Sequence, residues 1–168
     1  IEHNDLSGLV VQPNGHLRWT PTDHQTVWAS VSRAVRTPSR AEDDVRINQI
    51  TAPPSASTGG LPAQAALVGT RGYGNEKTLA YELGYRNQLN SRLSADVAAF
   101  YNNYKDLRTL ERGTASVEST PSPLHLLVPF NASNNLRAET YGVEAALEWH
   151  PLDWWRIQPS YTYLQMRL

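Results

Sequence analysis

Five histidines, His3, His16, His24, His125 and His150, are the first residues to weigh for metal chemistry. No two have the His-Glu-x-x-His spacing that sets a pair of imidazoles on one helix face, and none has a cysteine beside it. They are expected as surface or interface histidines, with no metal site. The chain contains no cysteine at all, which removes disulfides, thiol nucleophiles and thiolate ligands. Neither a Gly-x-Ser-x-Gly elbow nor a phosphate-cradling Gly-x-x-x-x-Gly-Lys loop occurs, so no catalytic residue and no cofactor is assigned. Glu42-Asp43-Asp44 could gather Ca²⁺ through oxygens, but such a run is expected to be a solvated face. Arg33, Arg36 and Arg40 are more suggestive, because a guanidinium fork suits planar carboxylates. They read either as a site for an anionic ligand or as partners of nearby acids. A second charged set, Glu82, Arg86, Asp96, Glu144, Glu148 and Arg156, recurs at alternate positions of otherwise apolar segments.

That alternation identifies the elements that carry these charges. Leu79, Tyr81, Leu83 and Tyr85 alternate with Thr78, Ala80, Glu82, Gly84 and Arg86. Leu93, Ala95, Val97, Ala99 and Tyr101 do the same against Ser94, Asp96, Ala98 and Asn102, with Phe100 as the exception. Tyr141, Val143, Ala145, Leu147 and Trp149 oppose Thr140, Gly142, Glu144, Ala146 and Glu148, and Trp155, Ile157, Tyr161 and Tyr163 oppose Arg156, Gln158, Ser160 and Thr162. A period of two is a strand with one apolar face. Weaker versions run over Gly15–Thr20 and Thr26–Arg36, where Arg33 falls among Val27, Ala29, Val31 and Val35 and predicts a bulge or a rim position. Pro13 and Pro159 lie within these patterns and are expected at edges or bulges.

Connections are sorted by length. Pro21-Thr22-Asp23-His24, Asn90-Ser91 and Pro151-Leu152-Asp153 are tight turns. Between them lie long stretches, about Thr37 to Lys77 and about Asp106 to Glu139, holding Pro38, Pro53, Pro54, Pro62, Pro121, Pro123 and Pro129. They predict irregular loops, with one short extra strand near His125–Phe130. An up-and-down meander then has its short turns at one end and its long loops at the other, as transmembrane barrels do. The fold expected is all-β, an antiparallel up-and-down meander forming a segment of a transmembrane β-barrel. Mean hydropathy of −0.49 does not oppose this, because a spanning strand is apolar only at every second residue. Trp19, Trp149, Trp154 and Trp155 fall beside the short turns, and Tyr81, Tyr101, Tyr104 and Tyr141 near the long-loop ends, as two interfacial girdles would. Charge is balanced, 15 Lys plus Arg against 16 Asp plus Glu, so no net field draws the chain to nucleic acid.

Particular segments resemble the barrel of TonB-dependent receptors. Trp28 to Arg40 is similar to a family strand ending in a Ser-Arg-Ala…Pro-Ser-Arg run. Glu82-Leu83-Gly84-Tyr85-Arg86, Ala98 to Leu107, Tyr141-Gly142-Val143-Glu144 and Trp154-Trp155 resemble the strands that follow. His3-Asn4-Asp5 and Gln12-Pro13-Asn14 look like the preceding hairpin, while Gly74-Asn75-Glu76-Lys77 departs from the usual Gly-Asn-Pro loop. The resemblance implies a barrel of about 22 strands in the outer membrane of a Gram-negative bacterium, closed by an N-terminal plug. Transport of a scarce nutrient such as a ferric siderophore would draw energy from TonB acting on that plug. Residues 1–168 would be part of the barrel, with the plug and the remaining strands elsewhere. Both ends read as cuts, with no signal peptide at Ile1 and no closing aromatic at Leu168. Glu82, Arg86, Asp96, Glu144 and Glu148 would then face the lumen and the plug, and Arg33, Arg36 and Arg40 would sit at the rim near the ligand. Two other readings stay open: a soluble β-sandwich that binds a ligand with its tryptophans, and a passive barrel without gating. In isolation an open sheet of this kind is expected to self-associate through its edges or its apolar face.

Overall fold

The computed structural model describes residues 1–4 and 8–168, so Asp5 of the expected first hairpin lies outside the described residues. Strands β1 (Glu2–Asn4) and β2 (Gly8–Val10) form a small antiparallel ribbon of their own. Everything else belongs to one sheet. Its strands are β3 (Asn14–Thr22), β4 (Gln25–Arg36), β5 (Arg46–Ala52), β6 (Ala63–Val68), β7 (Glu76–Asn90), β8 (Leu93–Arg112), β9 (Ser116–Glu118), β10 (His125–Leu152), β11 (Trp155–Ile157) and β12 (Ser160–Arg167). A short helix α1 (Arg40–Asp44) and a 3₁₀ turn at Ala56–Thr58 complete the chain.

The lower part is the expected meander. β3, β4, β7, β8, β10 and β12 pair in that order, each antiparallel to the next. The register runs unbroken from Gln25↔Asn87 to Arg36↔Glu76, so β4 has no bulge and Arg33 occupies the rim alternative. Pro13 precedes β3 and its carbonyl accepts the Arg33 N–H at 3.0 Å, while Pro159 separates β11 from β12 at the edge and accepts from Leu147 at 3.0 Å. Both prolines therefore sit where a missing N–H costs no ladder bond.

Register turns the alternation into rows across the sheet. On one face Leu17, Ala29, Leu83, Ala99, Val143 and Tyr163 are neighbours, as are Val27, Tyr85, Val97, Ala145 and Tyr161. Val31, Tyr81, Tyr101 and Tyr141 form the row nearest the long loops, and Leu93 with Trp149 lies near the short turns. Leu83, Val97, Val143 and Tyr161 are all exposed, with no second layer over them among the described residues. A β-sandwich would bury this face against another sheet, so that reading is excluded. From Tyr141 to Trp149 along β10 the band spans about 27 Å of strand, or about 20 Å of membrane at barrel tilt, close to the height of a barrel's apolar belt. Tyr104 does not join the tyrosine row. It pairs with Thr78 and hydrogen-bonds Thr140 on the opposite face, because alternation turns an even-numbered residue of β8 away from Tyr101.

Above the tyrosine row the sequence reading fails in one respect. The stretches expected as irregular are largely sheet: β8 continues to Arg112, and the strand expected only near His125–Phe130 is the start of β10, which runs unbroken to Leu152. The 37–75 connection passes over the ends of β7 and β8 and lays β6 parallel to β10, Leu126 opposite Ala63, with β5 outside it. Most of the few buried residues, Glu42, Ala66, Tyr73, His125, Leu127, Ala132, Ala138 and Thr140, lie in or next to this platform. Pro-rich composition identified a connection but could not reveal that its strands find partners on a distant one.

Candidate functional site

The face opposite the apolar rows carries the charged set. Ser30, Glu82, Phe100 and Gly142 make one row; Trp28, Gly84, Ala98 and Glu144 the next; Thr26, Arg86, Asp96 and Ala146 the one below. Two open hollows lie on this side, one lined by Arg86, Asp96 and Glu148 and the other by Trp28, Glu82 and Glu144, so the sheet curls toward its polar face. Glycine fits where it stands. The Trp28 ring lies over Gly84, and any Cβ there would collide with it; a Cβ on Gly142 would come within 2.7 Å of Phe100 Cζ. Phe100, the exception to alternation, is thus an aromatic laid across a glycine of the neighbouring strand.

Each sequence-predicted charge has a definite position. Arg86 holds Asp96 through its Nε at 2.7 Å, Ser30 Oγ donates to Glu82 at 3.2 Å, and Glu148 receives Arg156 Nε at 3.0 Å. Glu144 has no ion pair or hydrogen bond from a side chain among the described residues. The face is therefore a wet surface with paired charges near the short turns and free hydrogen-bonding capacity midway up. That suits a polar body seated against it. No group of side chains among the described residues could hold a metal ion.

The three arginines do not converge. Arg33 projects from the apolar face beyond the tyrosine row and donates through Nη1 to the Val11 carbonyl at 2.8 Å. Arg40 is exposed on α1. Arg36, at the end of β4 and above the membrane band, is gripped by two carboxylates: its Nη2 lies 2.7 Å from Glu42 and 2.6 Å from Glu76. Glu42 also accepts from the Ser39 N–H at 2.9 Å and has Arg108 at 3.8 Å, while the Arg108 N–H donates to Glu76 at 3.1 Å. Hydrogen bonds that it donates to Glu76, then to Glu42, push the Arg36 guanidinium further above its already high range. The same bonds hold Glu42 down at about 2 against the opposing pull of burial, and lower Glu76 as well. Desolvation pushes the neighbouring Tyr73 phenol up.

This cluster is a clasp between the 37–75 connection and the barrel rim. It is reinforced by Thr70 Oγ1 donating to the Ala132 carbonyl at 2.7 Å and by Asn134, which accepts from the Gly74 N–H at 2.8 Å and donates to the Asp106 carbonyl at 2.8 Å. The acidic run is consequently not a solvated face. Glu42 is buried and Asp43 accepts the Gly72 N–H at 2.9 Å. Glu76, Arg108 and Asn134 were not singled out by sequence; the one trace was the unusual Gly74-Asn75-Glu76-Lys77, which puts an acid where the family's loop has proline.

A curled, largely antiparallel sheet with an unpartnered apolar face, a tyrosine row bounding it toward the long loops and a charged concave face is the wall of a transmembrane β-barrel. The family model for the TonB dependent receptor-like β-barrel matches residues 2–167, and the chain belongs to that family, one of receptors and not of enzymes. Solved structures agree on the fold. A point mutant of the ferric enterobactin receptor PfeA of Pseudomonas aeruginosa superposes with a TM-score of 0.75 at 21% identity, over 96% of this chain and 23% of that one. The siderophore receptor PirA of Acinetobacter baumannii gives 0.72 at 19% identity, covering 95% and 23%. The FrpB iron transporter of Neisseria meningitidis gives 0.60 at 15% identity, covering 93% and 19%. The chain thus spans about a quarter of the length of the receptors it resembles. Among curated proteins no relative matches it.

Proposed function

We propose that this chain is part of the barrel wall of an outer-membrane receptor that imports a scarce, chelated nutrient such as a ferric siderophore, with energy supplied through TonB. The reading rests on one observation above the rest: a single continuous sheet offers hydrocarbon one face and a curled, charged surface the other. Such a wall needs a polar body inside it. A plug carried elsewhere in the full-length receptor would meet Glu82, Arg86, Asp96, Glu144 and Glu148, where hydrogen bonds exchanged with water can be released at modest cost. Arg40, exposed on α1, remains available to an anionic ligand at the outer rim, whereas Arg33 points out from the apolar face. Arg36 contributes by fixing the loop that carries Arg40, its own charge being taken by Glu42 and Glu76. Siderophore receptors among the structural neighbours support the substrate class.

The test is growth under iron limitation of a strain whose only receptor is the full-length protein. Uptake of a labelled ferric siderophore should require both the receptor and TonB. Uptake that survives removal of TonB would leave a passive barrel instead, and a receptor recovered in the soluble fraction would overturn the outer-membrane placement.

A further inference from the structure

Little backbone holds β9 to the platform. Among the described residues it pairs only with β10, setting Ser116 opposite Leu127, Val117 opposite Leu126 and Glu118 opposite His125. Ser116 and Val117 are exposed, as is the 119–124 link that leads back into β10. A ladder this short is marginal by itself, so side chains decide how firmly it stays. His125 is the buried one among them, at 6% exposure. Its Nδ1 lies 2.8 Å from the Pro123 carbonyl, which can only accept, so Nδ1 carries the proton of the neutral ring and Nε2 is a bare lone pair.

That nitrogen has no hydrogen-bond partner among the described residues, and the group before it, at 4.0 Å, is the Glu118 carboxylate. Two acceptors therefore face each other. A buried polar atom left in this way costs free energy, and a proton taken up at Nε2 turns it into a charge-assisted donor. Closing the gap to hydrogen-bond length needs a shift of about 1 Å, within reach of the Glu118 side chain, which is 28% exposed. The other charge facing the pair is Arg46 of β5, whose Nη2 lies 2.7 Å from the same carboxylate oxygen. It opposes a second cation, but a carboxylate has about four acceptor positions and one guanidinium does not fill them. β6 brings only Gln64 to this face, in register with Leu127, and adds an unpartnered acceptor without charge. The protonated imidazole thus gains a partner that the neutral ring lacks.

We infer that His125 is a proton-operated latch: protonation at Nε2 draws Glu118 onto the ring and fixes β9 against the platform. Loss of that proton leaves β9 with its short ladder and the Arg46 bond. The strap is firm on the acidic side and loosens as pH rises through the range in which imidazoles titrate, about 5 to 8. His125 opens β10 at the end far from the tyrosine row, so the latch meets the medium outside the cell. Only this last step, the source of the protons, rests on the outer-membrane placement proposed above.

The test is hydrogen exchange of the full-length receptor in detergent, read by mass spectrometry at about pH 5.5 and about pH 7.5 and corrected for the intrinsic rate. In the wild type, peptides over residues 116–126 should exchange about ten-fold more slowly at the lower pH, the worth of one hydrogen bond to a charged group. Peptides from β7 in the wall should not change. His125→Asn keeps an N–H for the Pro123 carbonyl but takes up no proton, and should abolish the difference. Glu118→Gln offers an amide donor to the bare nitrogen and an amide acceptor to the protonated one, and should reduce the difference to under about two-fold. Arg46→Gln should preserve or enlarge it. Equal or faster exchange at the lower pH in the wild type would overturn the latch, as would a His125→Asn protein that keeps the difference or an Arg46→Gln protein that loses it. Gel mobility on boiling, read for every variant, confirms an intact barrel, and the wild-type comparison needs no variant at all. A receptor found outside the outer membrane would remove the proposed placement and leave the latch standing.

Discussion

Two regions of this chain are built on opposite principles. The wall, from the short turns to the tyrosine row, is a single sheet whose large apolar side chains, Leu83, Val97 and Tyr161 among them, remain exposed. The platform above it buries Glu42, Tyr73, Leu127 and Ala132 beneath a connection that returns to the rim. The wall takes its stability from backbone pairing and from lipid, which substitutes for a core. The platform stands in water, so it must exclude water with its own atoms and satisfy its own polar groups. One set of strands serves both, since β8 and β10 run through the boundary without ending.

The sharpest way to break this contrast is to put a charge on each face of the wall. Leu83→Arg, in the middle of the apolar band, should destabilise the folded receptor in lipid by about 2–4 kcal/mol. Glu82→Arg, one residue away on the wet face, should cost well under about 1 kcal/mol. Denaturant unfolding from liposomes measures both, and equal penalties would mean that the faces do not differ in solvent.

The platform should respond to a different lesion. Glu42→Gln leaves Arg36 held by Glu76 alone and should lower the local stability of the 37–75 connection by about 2 kcal/mol. Faster hydrogen exchange in residues 40–73 should appear without any change in the wall's resistance to unfolding. pH sharpens the point. Because pairing with Arg36 holds Glu42 near 2 instead of its ordinary 4.5, the clasp's contribution is complete above about 4.5 and is lost as pH falls toward 2. Exchange in the connection should thus be insensitive to pairing loss at neutral pH, after correction for its intrinsic rate, and accelerate only in that acidic window. Release between pH 5 and 7 would contradict the assignment.

Smaller effects probe the polar face. Gly84→Ala places a methyl group against the Trp28 ring and should cost about 1–3 kcal/mol, with a change in tryptophan emission as the indole moves. Arg92→Ala removes an ion pair with Asp153 at 2.8 Å between exposed side chains and should cost less than about 1 kcal/mol. A larger loss there would mean that the short-turn end is more tightly organised than its exposure implies.

Legibility followed the same divide. Glu82, Arg86, Asp96, Glu144 and Glu148 were placed on one face by counting alone, because in a strand the side chain's face is fixed by parity. Parity also reaches its limit in Tyr104, whose nearness to a loop suggested the tyrosine girdle although its even number puts it on the wet face. Arg36 was legible as a rim residue but not as the centre of a clasp. Its partners come from 6 and 40 positions along the chain, and neither spacing is a pattern of any regular element. For Glu42, neighbouring Asp43 and Asp44 argued for solvent, whereas burial was decided by the connection folding back over it.

Sequence by itself determined the wall: which residues meet lipid, which face the interior, and where the short turns fall. A strand's two-residue period is a local property, enforced by the backbone at every step whatever the partner. Tertiary structure alone decided the platform, with β6 parallel to β10 and Arg36 shared between two carboxylates. Those choices depend on which distant segments can satisfy one another once water is excluded, and no short-range period encodes that.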